Sequence, residues 1–304
     1  RRRLLALELD NLVAACRRAL RRGDPDVAVA TLRAMWEVLE LRGPFALACA
    51  MGRDVLGLEG LSDPQRTLGC ICLGLACSRS GLLPEAERRL DEALRLATAG
   101  GDRRRQGVAH SLLGMLNREA GRMDRARHHL ESAIAIHREV GNRRAEGTTL
   151  GNLGNANLDL GRFAEALRCH REALVIHREV GNRRDEGGVL GNSGAVQSSL
   201  GRLDEALACY EQALAIWNRL GASGRDIVDE LAHDERRRAN GKIWIELEED
   251  WRAAPRQTVA VAESHTIRVR RKRDEGEIQL LDARAIEEEL NANVATAVDR
   301  REVH

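Results

Sequence analysis

The stretch "HREVGNRRAEG" at residues 137–147 returns as "HREVGNRRDEG" at 177–187. The interval is 40 residues, and it reaches well beyond these two phrases. Gly81, Gly121, Gly161 and Gly201 fall on one frame, and Gly74, Gly114, Gly154 and Gly194 on another. Ala86, Ala126, Ala166 and Ala206 share a third, and Ala93, Ala133, Ala173 and Ala213 a fourth. Self-similarity at a fixed period of this size marks an array of stacked supersecondary units, each unable to bury its apolar face alone.

The physics of one unit can be read from residues 142–181. Asn142 follows Gly141 and can cap a first helix through its side-chain oxygen. That helix runs to about Leu160, where Gly161 ends it in the left-handed conformation. A second helix runs from about Ala164 to Val180 and stops at Gly181. On it Ala166, Leu167, His170, Ala173, Leu174 and Ile176 trace an apolar stripe at helical spacing. Gly154 sits inside the first helix, where glycine costs up to about 1 kcal/mol relative to Ala. Its return in every copy predicts close approach of the partner helix, with the small Ala166 facing it.

These positions resemble the tetratricopeptide repeat. The Leu-Gly pairs of that pattern are Leu73-Gly74, Leu113-Gly114 and Leu153-Gly154; the fourth copy departs with Ser193-Gly194. The bulky position of the second helix holds Leu90, Leu130, His170 and Tyr210. The aromatic of the first helix is replaced by Cys77, Asn117, Asn157 and Gln197, and the closing Pro by a Gly-Asp or Gly-Asn turn. The family's usual unit is about 34 residues, so these helices are longer. Such units are similar to the repeats of kinesin light chains, of GoLoco-associated spindle-orientation scaffolds and of the helical tails of bacterial STAND-class ATPase regulators. The implied fold class is all-α, a right-handed α-solenoid of antiparallel helix pairs, with a small C-terminal α/β or loosely ordered extension.

The expected organisation is degenerate N-terminal helical repeats over 1–61, four units over 62–221, a capping helix in 222–240 and a separate tail over 241–304. The opening contains helical patterns at 9–24, 27–43 and 45–56, and it resembles the segment that follows the nucleotide-binding part of STAND regulators. The absence of an initiator Met reads as a fragment of a longer chain. Residues 225–239 read as a polar helix that shields the last apolar face. In the tail, 242–248, 257–264, 265–272 and 277–282 alternate or are rich in β-branched residues, which predicts strands, and 283–298 reads as a helix.

Composition narrows the function. The net charge is +1 with 31% charged residues, so no global polyanion-binding field is expected. Hydrophobic residues make up 43% but aromatics only 2%, which leaves Leu, Ala, Val and Ile to fill the core. The seven Cys, without a CxxC pair, read as small buried apolar residues in a reducing compartment. No apolar run reaches the roughly 18 residues of a membrane span, and the expected location is the cytoplasm. No phosphate loop, G-x-S-x-G or H-E-x-x-H is present. The expectation is a non-enzyme without cofactor or metal. An enzyme seated in the tail would have only Glu263, His265 and Asp274 to work with.

The resemblance implies a partner-binding groove lined by the first helices. By offset from Gly154 it selects Thr148, Asn152, Asn155 and Asp159, with Ser111, Met115 and Arg118 in the preceding unit and Asn192 and Ser198 in the following one. Asn can hydrogen-bond a peptide backbone through both donor and acceptor. The Lys clamp of the chaperone-binding versions has no counterpart, because no Lys occurs in the repeats. The implied function is a scaffold or sensor that binds a protein or peptide. The alternative is a nucleic-acid-associated regulator. It would use the ladder Arg103-Arg104, Arg143-Arg144 and Arg183-Arg184, with Arg104, Arg144 and Arg184 as candidate phosphate contacts, or the basic run Arg268 to Arg273. Against these stand salt bridges from the ladder to Glu139, Glu146, Glu179 and Glu186, and a solvated edge strand for the basic run. His137 and His177 share a frame with Trp217, which predicts packing rather than metal binding.

Overall fold

The structure, a computed structural model, describes residues 2–39 and 43–220 together with strands at 243–247, 267–272 and 278–281. Eleven helices come first: α1 (Arg2–Arg22), α2 (Pro25–Leu39), α3 (Phe45–Leu56), α4 (Asp63–Arg79), α5 (Leu83–Ala99), α6 (Arg103–Glu119), α7 (Met123–Glu139), α8 (Arg143–Asp159), α9 (Phe163–Glu179), α10 (Arg183–Ser199) and α11 (Leu203–Arg219). Helices α4 to α11 each have 17 residues, and three-residue turns join them, which accounts for the period of the sequence.

The turns show why the period is kept. After α6, Gly121 takes φ +74°. The Gly121 N–H donates to the Arg118 carbonyl at 3.0 Å and the Arg122 N–H to the Asn117 carbonyl at 2.8 Å. Left-handed glycine thus satisfies carbonyls that the helix end would leave open. The next helix is started by a side chain. Asp102 accepts the Arg105 N–H at 2.9 Å, and Asn142 accepts the Ala145 N–H at 3.3 Å, as expected of a cap. At α4, Ser62 and Gln65 form a capping box.

The chain divides into two compact units, Arg1–Ala156 and Asn157–His304. In the first, hairpins α1–α2, α4–α5 and α6–α7 pack with α3 around Leu32, Met35, Leu73, Leu90, Leu113 and Leu116, all 3% exposed or less. Glycine fixes the helix spacing. A Cβ on Gly114 would lie 2.6 Å from Leu130 Cγ and 3.3 Å from the Ala126 carbonyl oxygen. The close approach expected at this frame is there, but the atoms filling the notch belong to the bulky residue, with the small alanine behind it. Gly107 leaves the same kind of gap for His137, whose Cε1 would be 2.7 Å from an added Cβ.

In the second unit α10 packs with α9 and α11. Here Gly194 faces the Tyr210 ring and Gly187 the Trp217 indole; a Cβ added at these glycines would lie 2.7 and 2.8 Å from them respectively. The same unit contains β1 (Ile243–Leu247), β2 (Ile267–Lys272) and β3 (Ile278–Leu281), antiparallel in the order β1-β2-β3. Three of the four expected strands are therefore found. The fourth, at 257–264, the helices expected at 225–239 and 283–298, and the enzyme candidates Glu263, His265 and Asp274 lie outside the described residues. The edge-strand expectation for the basic run is corrected. Arg268, Arg270, Arg271 and Lys272 lie on β2, the middle strand, where Trp244 pairs with Arg270 and Glu246 with Arg268.

Candidate partner-binding face

In the first unit the groove candidates lie on α6 and α8. Met115 and Arg118 are half-buried, Thr148 is exposed and Asn152 is half-buried. Several of the residues singled out from sequence are already engaged, Arg118 and Asp159 among them. The Ser111 hydroxyl sits between His137 Nε2 at 3.1 Å and Thr149 Oγ1 at 2.9 Å. It ties α6 to both following helices rather than facing outward. Asn155 is 8% exposed and has a partner of its own. Thr148 donates its hydroxyl to the Arg144 carbonyl at 3.1 Å, as helical Thr often does. Asn152 differs: it is half-buried, and its amide has no partner among the described residues. Beside it in the frame, α6 offers Leu112 and Met115, both half-buried.

In the second unit Asn192 has the same character as Asn152, half-buried with an amide unpaired among the described residues. Ser198 is half-buried and Asp159 exposed. Other asparagines of the repeats are spent internally. Asn117 donates to the Leu113 carbonyl at 2.8 Å, Asn157 to Cys169 Sγ at 3.8 Å and Asn182 to Asp185 at 2.8 Å.

The arginine ladder separates into two classes. The first member of each pair is bound to a carboxylate. Arg103 pairs with Glu139 through Nε at 2.9 Å, Arg143 with Glu146 at 2.7 Å and Arg183 with Glu186 at 2.7 Å. Glu146 and Glu186 are buried, and each takes a second arginine from the preceding helix, Arg138 at 2.7 Å and Arg178 at 2.8 Å. Burial pushes the Glu186 carboxyl up, but the hydrogen bonds from Arg178 and Arg183 outweigh it and hold it below the usual range. These Arg–Glu–Arg clamps join one hairpin to the next. The second members, Arg104, Arg144 and Arg184, are exposed. Arg184 lies 5.9 Å from the centroid of the Trp217 ring, and the side chains of Arg104 and Arg144 have no ion-pair partner among the described residues.

The histidines behave partly as expected. His137 and His177 are 1% and 0% exposed, which fits packing. Burial lowers the pKa of His137. A contact that the spacing does not reveal brings His110 on α6 against His129 on α7. Burial, and then the neighbouring imidazoles, push His110 down to about 4; burial also lowers His129. Six of the seven cysteines are buried and all are free thiols. Burial raises Cys72 to about 12, which leaves it unreactive. Among the described residues no three metal-ligating side chains gather, and no helix is long and apolar enough to cross a membrane.

The helices define a helical-repeat protein in which α4 to α11 form 40-residue hairpins. The Tetratricopeptide repeat family matches residues 66–139 and 141–223, more than half of the chain, and the chain belongs to that family. Solved structures share the fold. BtubC (BKLC) from P. vanneervenii is 19% identical, with TM-score 0.59 over 70% of this chain and 92% of that one. Aspartyl phosphate phosphatase F from Bacillus subtilis is 14% identical, with TM-score 0.58 over 74% and 61%. A Rap protein complexed with Competence and Sporulation Factor is 13% identical, with TM-score 0.53 over 71% and 77%. No curated protein sequence matches the chain. Tetratricopeptide-repeat folds are typically non-enzymatic modules for protein interaction.

Proposed function

We propose that the protein is an interaction scaffold that holds a peptide or protein segment against its first helices. The observation carrying this reading is Asn152 in the first unit, whose character Asn192 repeats in the second. They occupy one frame of the repeat, both half-buried, both with amides unpaired among the described residues. A half-buried amide loses part of its hydration and stabilises a ligand backbone that supplies both a donor and an acceptor. In the first unit Leu112 and Met115 add apolar contact; Met adapts readily to different partners. Arg118 and Thr148 flank this face in the first unit, and Asp159 and Ser198 belong to the second. Ser111 and Asn155 support the face from beneath, because their polar atoms already have internal partners. In a larger signalling protein of the STAND type the same face serves as the sensing end. The shared fold of the Rap protein, whose structure is a complex with Competence and Sporulation Factor, is compatible with such a role.

A nucleic-acid reading has less support, since Arg103, Arg143 and Arg183 are spent on glutamates and only Arg104 and Arg144 remain uncommitted among the described residues of the ladder. A nuclease-treated pull-down from the native host separates the two. It compares the wild type with Asn152→Ala/Asn192→Ala, each washed at low and high salt. A protein retained by the wild type at both salts and lost by the folded variant supports the scaffold. No protein retained after nuclease, with nucleic acid recovered when nuclease is omitted and falling steeply with salt as counterions are released, contradicts it.

A further inference from the structure

His110 and His129 meet Nδ1 to Nδ1 at 3.0 Å across hairpin α6–α7, with ring centroids 5.2 Å apart and planes tilted by 43°. His128 lies edge-on to His129, with centroids 5.8 Å apart. The corresponding positions of the other hairpins hold Cys70 and Arg89, Leu150 and Cys169, and Leu190 and Cys209. Facing imidazoles are therefore a feature of this hairpin alone among the four copies, and the repeat architecture does not require them.

We propose that the pair binds a divalent transition-metal ion of the imidazole-preferring kind, Ni2+ or Cu2+, through both Nδ1 atoms. Metal–imidazole bonds are about 2.0–2.1 Å long, so two nitrogens in adjacent positions of an octahedral or square-planar ion lie about 2.9 Å apart, against about 3.4 Å in a tetrahedral one. The observed separation matches the first geometry. To hold an ion, each ring turns so that its Nδ1 lone pair points to a shared position beside the N···N line instead of at the other nitrogen. In the empty pair one ring keeps its proton at Nδ1 and donates it to the other. On binding, that proton moves to Nε2 of the same ring, both imidazoles stay neutral, and each Nδ1 lone pair is given to the metal. Asp91 and Glu87 lie near His129 and favour a cation, while Arg103 near His110 and Arg125 near His129 oppose it. With two protein ligands the remaining positions go to water and the ion stays exchangeable. Its effect is to staple α6 to α7 next to Ser111 and Met115.

The test uses the full chain without an affinity tag, at about pH 7.5, where ordinary histidines are mostly neutral, titrated with Ni2+ in a calorimeter. A single equivalent binds the wild type, and His110→Gln and His129→Gln each weaken it by at least about tenfold. Independently of any variant's folding, paramagnetic Ni2+ broadens the ring signals of His110 and His129 first in nitrogen NMR of the wild type. Absence of binding by the folded wild type overturns the proposal. So do unchanged affinity in both variants, and earlier broadening at His128, His233, His265 or His304.

Discussion

In hairpin α6–α7 of the first unit the helical glycines make room for Leu130 and His137; in α10–α11 of the second the same positions take Tyr210 and Trp217. Gly114 and Gly194, with Gly107 and Gly187, leave equivalent notches on the first helix, and the second helix fills them with whatever ring or branch the copy supplies. The difference teaches that the backbone frame is set by the glycines and turns, while each copy's side chains set rigidity and polarity. An aliphatic filler can change rotamer. A buried aromatic ring is rigid and can move only as a whole.

The largest effect expected from this comparison is at the notch itself. Gly194→Leu and Gly114→Leu should each destabilise by about 1–3 kcal/mol or more through overpacking, read as a fall in the denaturant midpoint. The sharper test is alanine. Gly194→Ala should still destabilise, because the added methyl lies 2.7 Å from Tyr210 Cε1 in a residue 1% exposed. Gly114→Ala should cost less, because Leu130 can move its Cγ aside by turning about χ1 whereas the Tyr210 ring is rigid; the helix propensity that alanine regains, up to about 1 kcal/mol, is common to both positions. Equal losses would break the distinction between the two fillers.

Next comes the clamp. Glu186→Ala in the second unit removes a buried carboxylate that accepts two arginines and should cost about 1–3 kcal/mol; Arg178 and Arg183 are half-exposed and recover water. Glu139→Ala in the first unit breaks an exposed pair with Arg103 and should leave Tm unchanged. Comparable melting shifts for the two would contradict the assignment of Glu186 as a joint between hairpins.

A comparable effect is expected of His137→Trp, which places the filler of the second unit into the notch of the first. His137 is 1% exposed and already fills the gap at Gly107, while Ser111 keeps Thr149 as a partner. The larger indole should cost about 1–3 kcal/mol in thermal melting. A variant that fails to fold would show that the Ser111–His137 bond outweighs ring packing.

The two hairpins also differ in pH response. His110, His129 and His137 have pKa values lowered by burial, so the folded form prefers neutral rings. Their contribution is complete above the unfolded value of about 6.5 and declines as pH falls below it, toward about 4 for His110. Glu186, also lowered, contributes fully above about 4.3 and loses its contribution only as pH falls further. Hydrogen exchange, corrected for intrinsic rates, should show α6–α7 loosening between about pH 6.5 and 5 while α10 stays protected. Equal loosening would show that the histidines do not set the pH response of α6–α7.

Much of the fold is legible in the sequence because it is local. Left-handed Gly121 and Gly161, the caps Asp102 and Asn142 and the helix bounds follow from turn chemistry repeated every 40 residues. What the sequence does not reveal depends on where a side chain goes after two helices meet. Ser111 sits at a groove offset, yet its hydroxyl is drawn to His137 and Thr149. His110 and His129 stand on different helices and show no spacing signal. The charge of the basic run reads as an edge strand, but strand order is set by non-local pairing, and β2 pairs on both sides. Among the asparagines, only the hydrogen bonds of the folded chain separate Asn152 and Asn192 from Asn155.

The claim that Asn152 marks the working face is tested most directly by placing the photo-crosslinking residue p-benzoylphenylalanine at position 152 and, separately, at Val175, which is 55% exposed on second helix α9. Both proteins are irradiated in the native host. One discrete protein adduct is expected from position 152 and none from position 175. Adducts from position 175 alone, or from neither site with both proteins folded, would contradict the claim.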